Sequence, residues 1–195
     1  MIPALLVAGA FLMGSIPFGV LVSRRFFRVD LRAQGSGNIG AANALRTLGK
    51  IPALAVLVLD VLKGALPVAV AAGYGGDALP WLGPAAGAAA ILGHVFCPWL
   101  RWRGGKGVAT HLGVLIALAW PAAFAFALVW FGIVAATNFS SAGSVAGTLV
   151  SAFVLWWAAG PWAGAYGAFA FLLILWTHRE NVARLRAGTE NPLRR

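Results

Sequence analysis

Three short segments carry most of the polar residues of this chain, and the sequence between them is hydrophobic enough to lie in a lipid bilayer. The segments are Arg24 to Lys50, Arg101 to Lys106 and His178 to Arg195. Hydrophobic residues make up 61% of the chain, whereas charged residues make up only 10%. This composition is typical of a protein that crosses a membrane several times. We therefore expect a single membrane-embedded domain that covers residues 1–195.

Seven apolar runs are candidate membrane spans. They are Ile2 to Val22, Ile51 to Gly73, Trp81 to Leu100, Val108 to Trp120, Ala122 to Ala136, Ser144 to Ala159 and Trp162 to Trp176. The last four are shorter than the roughly 20 residues that a straight helix needs to cross a bilayer, so these helices are expected to take up flanking residues. The predicted fold class is an all-α integral membrane protein, a bundle of about seven transmembrane helices.

The distribution of basic residues predicts the orientation of this bundle. Seven spans place all three polar segments on one side of the membrane, and those segments contain every Lys and Arg except Lys63. The positive-inside rule identifies that side as the cytoplasm. We therefore expect an outer amino terminus and a cytoplasmic carboxyl terminus. The net charge of +10 then favours anionic lipid headgroups and small phosphorylated ligands as partners, rather than nucleic acid.

Two of the polar segments contain a glycine cluster beside a cation. The first is Gly35 to Gly40, with Arg46 downstream, and the second is Gly104 to Gly107, which includes Lys106. Glycine lets backbone N–H groups converge on an anion, and the cation supplies the countercharge. Both clusters therefore indicate phosphate binding, although tight turns between helices would also explain the glycines.

Neither cluster fits a known nucleotide-binding loop. The first matches G-x-G-x-x-G, but no predicted strand precedes it. The second is not a P-loop, because Gly107 follows Lys106 where Ser or Thr is required. The two clusters therefore indicate an anion-binding site of no particular nucleotide-binding class. Polar residues that share one predicted membrane face support such a site. These residues are Ser36, Asn38, Asn43, Arg46, Lys106, Thr110, His178 and Asn181.

Asp60 and Lys63 lie three residues apart inside the second apolar run, where charges are expensive and usually paired or functional. A mutual ion pair that holds this helix in the bundle explains them at least as well as a catalytic role does. His94 and His111, near span ends, are interpreted as packing or interfacial residues. His178 differs because it lies in a polar segment, within reach of the glycine loops.

Several kinds of catalytic chemistry have no motif in the sequence. It contains no G-x-S-x-G nucleophile motif, no H-E-x-x-H motif and no carboxylate cluster suited to a metal. A covalent intermediate is therefore not expected, and neither is a metal or another cofactor. An enzyme of this type would bring together two substrates, one of them already activated, and would stabilise charge with hydrogen-bond donors.

Four motifs resemble the PlsY family of bacterial acyl-phosphate:glycerol-3-phosphate acyltransferases. They are Gly14 to Gly19, Gly35 to Asn43, Gly104 to Thr110 and His178 to Asn181, and they occur in the order of that family. The resemblance extends over nearly the whole chain. It implies a seven-helix membrane fold in the bacterial cytoplasmic (inner) membrane, with the active site facing the cytoplasm.

The resemblance also implies the reaction and the residues that perform it. A fatty acyl group would pass from acyl phosphate to the 1-hydroxyl of glycerol 3-phosphate, giving lysophosphatidic acid and inorganic phosphate. This is the first acylation of phospholipid synthesis. The implied catalytic residues are Ser36, Arg46, Lys106, His178 and Asn181. The implied substrate-binding residues are Gly37, Asn38, Asn43, Gly104, Gly105, Thr110, Ser141 and Ser144.

Three questions stay open at the level of sequence. Either His178 or a phosphate oxygen of a substrate would accept the hydroxyl proton. A transporter of phosphorylated anions would use the same glycine and cation chemistry, although transporters usually place their sites near the bilayer midplane. A structural partner of lipid-synthesis enzymes would use the glycines as turns and the cations as lipid anchors.

Overall fold

The protein is an all-α bundle, described here from a computed structural model that covers residues 1–193. Those residues form nine α-helices and no β-strand. The helices are α1 (Ile2–Gly14), α2 (Phe18–Phe27), α3 (Ala41–Leu48), α4 (Lys50–Gly75), α5 (Leu82–Val95), α6 (Val108–Leu118), α7 (Trp120–Thr137), α8 (Ser140–Thr177) and α9 (Arg179–Arg186).

Five helical segments are long and apolar enough to cross a membrane. They are Ile2–Phe27, Lys50–Ala78, Leu82–Leu100, Trp120–Thr137 and Ser140–Thr177. Helix α6 is also apolar but has only 11 residues, so it spans about 16 Å. Each of the seven predicted apolar runs thus falls on one of these segments or on α6. The number of membrane crossings and the orientation of the termini stay predictions.

The first predicted span, Ile2 to Val22, is interrupted rather than continuous. Helix α1 ends at Gly14 and α2 begins at Phe18, because Pro17 has no N–H to donate and disfavours a helical conformation in Ile16. The break releases backbone carbonyls inside the apolar region, where they need partners. Lys63 Nζ donates to the Ile16 carbonyl at 2.8 Å, and Cys97 Sγ donates to the Ser15 carbonyl at 3.0 Å.

Other predicted boundaries were also wrong by a few residues. Helix α5 ends at Val95, and the following Pro98–Leu100 forms a separate 3₁₀ turn. The junction placed at Trp120 and Pro121 lies at the extended residue Ala119, and proline at the start of α7 is favourable because its missing N–H is not needed there. The separation of the sixth and seventh runs is confirmed, because Gly160 has a non-helical backbone, with φ of 80° and ψ of −174°, and divides α8 into two helical segments.

Small residues allow the helices of the core to approach closely. Alanine is the most frequent residue in the main buried cluster, which joins α1, α4, α5, α6, α7 and α8. At the crossing of α4 and α6, a methyl group on Gly64 would overlap the Thr110 carbonyl, and one on Gly113 would overlap the Val61 carbonyl. Backbones in such close contact are typical of helix packing in membranes. This crossing matters for the site because α6 follows Lys106 directly.

The predicted pairing of Asp60 with Lys63 is confirmed. Lys63 Nζ lies 2.7 Å from Asp60 Oδ1, and both side chains are almost completely buried. The ring of Phe18 lies 5.7 Å from the same ammonium group. Lys63 therefore links α4 to the break between α1 and α2 through its contacts with Asp60, Ile16 and Phe18.

The interpretation of His111 as a packing residue is also confirmed. Its Nδ1 lies 2.9 Å from the Tyr166 hydroxyl and its Nε2 lies 3.2 Å from Ser151 Oγ. Ser151 and Tyr166 lie on opposite sides of the bend in α8. The imidazole therefore joins α6 to both halves of α8 with both ring nitrogens in use.

The crossing of α4 and α6 generates a stability prediction. The Gly113→Ala variant is expected to lower the free energy of unfolding by about 1–3 kcal/mol, because the methyl group would push against the Val61 carbonyl. The matched control is Gly132→Ala on α7, where an added methyl group meets no atom within 4 Å. Thermal unfolding in detergent would compare the two variants, and an equal effect on both midpoints would contradict the packing argument.

Candidate active site

A cavity of about 410 Å³ opens between α3, α4, α6, α7, the start of α8, α9 and the carboxyl-terminal tail. It brings together most of the predicted site residues from all three polar segments. Those that line it are Ser36, Asn38, Asn43, Arg46, Lys106, Ser141, Ser144, His178 and Asn181. The predicted convergence of these segments is therefore confirmed, although the binding role of each residue stays a prediction.

Asn43 organises the loop that carries the first glycine cluster. Its Oδ1 accepts a hydrogen bond from the Ser36 N–H at 2.9 Å. Its Nδ2 lies within 3.1 Å of the carbonyls of Leu31, Gln34 and Asn38. The side chain is only 1% exposed, and these bonds use both its donor and its acceptor groups. Asn43 thus shapes the loop that presents Ser36 to the cavity.

Arg46 extends from α3 towards the carboxyl-terminal tail. Its Nε donates to the Pro192 carbonyl at 2.9 Å, and its Nη2 donates to the Asn191 carbonyl at 3.3 Å. The Leu193 N–H donates to the Asn138 carbonyl at 2.7 Å, which fixes the tail against the end of α7. Asn191 and Leu193 also line the cavity, so the tail forms one of its walls.

Lys106 lies at the centre of the polar side of the cavity and donates a short hydrogen bond to Asn181 Oδ1. Burial disfavours its charged form and lowers the pKa of the ammonium group to about 8, although the nearby Glu190 carboxylate raises it in part. Lys106 is therefore a cation that releases its proton more easily than an exposed lysine.

Glu190, which sequence reasoning missed, connects the polar side of the cavity. Its Oε1 accepts hydrogen bonds from Ser141 Oγ at 2.8 Å and from Asn181 Nδ2 at 2.6 Å. Its Oε2 accepts from Arg184 Nε at 2.8 Å. Burial raises the pKa of this carboxyl, but the three hydrogen bonds outweigh burial and hold the pKa below its usual value. Glu190 is thus a carboxylate that orients Asn181, the partner of Lys106.

His178 is fixed in one tautomer at the junction of α8 and α9. Its Nδ1 lies 2.8 Å from the Ile174 carbonyl, which can only accept, so the proton of the neutral imidazole is on Nδ1. Burial and the charge of Lys106 lower the pKa of His178 to about 4. At neutral pH the imidazole is therefore uncharged, and its Nε2 is a hydrogen-bond acceptor.

Four predicted binding residues do not line the cavity: Gly37, Gly104, Gly105 and Thr110. The amides expected to cradle phosphate are already used, because Gly104 N–H donates to the Val95 carbonyl and Gly105 N–H donates to the His94 carbonyl. Gly37 N–H closes a turn to the Gln34 carbonyl. In the second glycine cluster, Gly104 and Gly105 therefore pack the loop against the end of α5 and do not offer their amides to a ligand.

The membrane side of the cavity is apolar. Its walls are Leu54 and Leu57 of α4, Leu112 of α6, and Phe126, Ala127, Trp130 and Phe131 of α7. Leu54 is 60% exposed and Phe131 is 65% exposed on the outer surface of the bundle. The cavity therefore reaches the lipid-facing surface between α4 and α7, so that an apolar chain can enter from the membrane.

The cavity as a whole is amphipathic. Arg46, Lys50, Lys106 and Arg184 supply cations at its polar end, and within residues 1–193 Glu190 and Asp60 are the acids that line it. Both acids have a basic partner, Arg184 and Lys63 respectively. No three His, Cys, Asp or Glu side chains among the described residues are grouped as a metal site. The arrangement can hold an anionic headgroup beside an apolar chain.

Comparison with known proteins gives one consistent result. A family model described as glycerol-3-phosphate acyltransferase matches residues 4–188. A protein named glycerol-3-phosphate acyltransferase from Rhodopseudomonas palustris (strain BisB5) is 45% identical over 188 residues, which cover 96% of this chain and 94% of the relative. One of the same name from Myxococcus xanthus (strain DK1622) is 49% identical over 192 residues, which cover 97% and 98%.

Solved structures show the same likeness in three dimensions. The crystal structure of PlsY, an integral membrane glycerol 3-phosphate acyltransferase, in its glycerol 3-phosphate form has a TM-score of 0.93 and 35% identity, covering 98% of this chain and 96% of that one. The lysophosphatidic acid form has a TM-score of 0.90 and 33% identity, covering 98% and 95%. This chain is therefore a multi-pass membrane protein that belongs to the glycerol-3-phosphate acyltransferase family, the family of PlsY.

Proposed function

We propose that the protein transfers a fatty acyl group from acyl phosphate to the 1-hydroxyl of glycerol 3-phosphate. The products are lysophosphatidic acid and inorganic phosphate. The observation that carries this proposal is the amphipathic cavity, in which Arg46 and Lys106 adjoin apolar walls that reach the lipid-facing surface. Cations suit the phosphates of both substrates, and the apolar walls suit the acyl chain. The relatives are named for glycerol 3-phosphate, and the donor is our inference.

The reaction needs positioning and charge stabilisation rather than a protein nucleophile. The 1-hydroxyl oxygen of glycerol 3-phosphate attacks the acyl carbonyl carbon, and a new C–O ester bond forms. The bond between that carbon and the phosphate oxygen breaks, and inorganic phosphate leaves with the electron pair. Lys106 and Arg46 stabilise the negative charge on the phosphates, with Ser36 as a further hydrogen-bond donor. The cavity holds the two reacting groups together.

The geometry of His178 favours a role in orienting the hydroxyl group of glycerol 3-phosphate over a role as the general base. The acceptor Nε2 can receive a hydrogen bond from the attacking hydroxyl. A group with a pKa of about 4 binds a proton weakly at neutral pH, so it is a poor general base. We therefore infer that a substrate phosphate oxygen takes the proton and that His178 orients the hydroxyl.

The same proposal places the site at the cytoplasmic face of the cytoplasmic membrane of a bacterium, with anionic lipids around its basic segments. The support is the location of all basic residues except Lys63 in the three polar segments. We also propose that residues 1–195 form a single domain. No cofactor takes part in the proposed steps.

The proposed reaction predicts phosphate release that depends on both substrates. Purified protein in lipid should release inorganic phosphate from palmitoyl phosphate when glycerol 3-phosphate is present, and it should release none when glycerol 3-phosphate is left out. Lys106→Ala and Arg46→Ala should each lower turnover by at least about 100-fold, because a charged phosphate contact is lost. The matched control is Arg103→Ala, which removes an exposed cation three residues from Lys106 that does not line the cavity. Near-native turnover by either site variant would refute the phosphate assignment.

The inferred role of His178 predicts a particular kinetic pattern. His178→Gln retains polar atoms that can bind the hydroxyl, so it should keep much more activity than His178→Ala. Both variants should keep the pH dependence of kcat, because the proton goes to a substrate phosphate. Steady-state kinetics between about pH 4 and about pH 9 would test this, because a limb due to His178 would lie near its pKa of about 4. Loss of an acidic limb in kcat that the native protein shows would instead identify His178 as the base.

The proposed orientation predicts which side of the membrane each loop occupies. Cys97 is only 1% exposed, so single cysteines introduced elsewhere can be labelled over a low background. Asp77→Cys should react with a membrane-impermeant maleimide from outside intact spheroplasts. Arg103→Cys should react only in inverted vesicles. The opposite pattern would overturn the orientation without affecting the proposed reaction.

A further inference from the structure

The deepest polar part of the cavity is formed by two buried side chains that the proposed reaction does not use. Asp60 and His94 both line the cavity and are 1% and 4% exposed. His94 Nδ1 lies 3.9 Å from Asp60 Oδ1, and neither atom has a hydrogen bond of good geometry within residues 1–193. The 2.7 Å approach of Lys63 to Asp60 is an ionic contact. His94 is therefore held by packing and by the charges of this pair.

The loop that carries Lys106 rests on His94. Gly105 N–H donates to the His94 carbonyl at 3.1 Å, and Gly104 N–H donates to the Val95 carbonyl at 2.9 Å. A methyl group on Gly105 would overlap Nε2 of the His94 ring, so the imidazole lies directly beneath this residue. Lys106 follows immediately in the chain. The residue before Lys106 therefore packs directly on the His94 side chain.

We propose that His94 is a positioning residue for Lys106, acting through its contact with Gly105 and anchored from below by Asp60 and Lys63. This proposal rests on the proposed role of Lys106 in phosphate binding. Lys63 in turn contacts the Ile16 carbonyl, so the support extends from the break between α1 and α2 to the site. The ring fills the space beneath the loop and keeps the Lys106 ammonium at a fixed depth in the cavity.

The depth of Lys106 has a measurable consequence. Burial lowers the pKa of Lys106 to about 8, so a loop that moves outwards should hydrate the ammonium group and raise its pKa towards 10.5. The charged and titratable groups that face it are Arg46 on α3, Glu180 and Arg184 on α9, His178 and Glu190. None of these groups is altered by a change at His94. A shift in the pKa of Lys106 would therefore report its position.

Two variants and their combination test this proposal. His94→Ala removes the support, and Gly105→Ala places a methyl group against the ring. Each should lower kcat/KM by about 10- to 100-fold, with a raised KM for glycerol 3-phosphate, because the displaced cation binds phosphate less well. In the double variant the missing ring leaves room for the methyl group. Its activity should therefore exceed the product of the two single losses by several-fold, whereas simple multiplication of the losses would overturn the proposal.

A second measurement does not depend on turnover. The reaction of Lys106 with an amine-specific reagent is followed by mass spectrometry as a function of pH, with the exposed Lys50 as internal reference. The midpoint for Lys106 should lie near 8 in the native protein and should rise in His94→Ala. An unchanged midpoint in a folded His94→Ala variant would overturn the proposal, even if the acyltransferase activity of the native protein were established.

His111→Gln is the matched control for a buried histidine. Its ring contacts Tyr166 and Ser151 and does not line the cavity. The variant should lower thermal stability but leave the Lys106 midpoint and the KM for glycerol 3-phosphate unchanged. An equal midpoint shift in both histidine variants would assign the effect to general loosening of the bundle and would contradict a specific role for His94.

Discussion

The buried contact of Lys63 with Asp60 and with the Ile16 carbonyl is the interaction on which much of the structure depends. A helix that breaks inside a membrane exposes backbone carbonyls in a region without water, and each unpaired carbonyl costs several kcal/mol. Lys63 satisfies the carbonyl of Ile16, and Asp60 neutralises the lysine. The break can therefore exist, and it lets the chain turn after α1 so that the loop before α3 reaches the cavity.

A second consequence of low polarity appears at the polar end of the cavity. Lys106 and Glu190 are both partly or wholly buried, and their pKa values move in directions that their partners explain. Glu190 holds Asn181, and Asn181 holds Lys106, so one carboxylate orients a cation without contacting it directly. This indirect contact leaves the ammonium group less neutralised than a direct ion pair would. A binding site for dianionic phosphates requires such a cation.

The sequence predicted the parts of the structure that depend on local pattern. Apolar runs identified the helices, and the spacing of Asp60 and Lys63 identified a buried pair. The convergence of the three polar segments was expected because the predicted topology puts them on one side of the membrane. The break at Pro17 was missed because hydropathy does not register a proline within an apolar run. Glu190 was missed because no motif links it to its partners: Ser141 is 49 residues away, and the fold of the tail brings the carboxylate to both Ser141 and Asn181.

The second glycine cluster shows why a motif does not determine its own mechanism. Free amides that cradle an anion and close packing of a loop both require glycine, and the sequence is the same in either case. Gly104 and Gly105 have the second arrangement, because their amides are bonded to the last carbonyls of α5. In the proposed reaction, side chains therefore supply most of the phosphate contacts, above all Lys106. Lys106 lies on a closely packed loop, so a change in a side chain that packs against this loop can move it. His94 packs against Gly105 and can therefore influence the reaction without contacting a substrate.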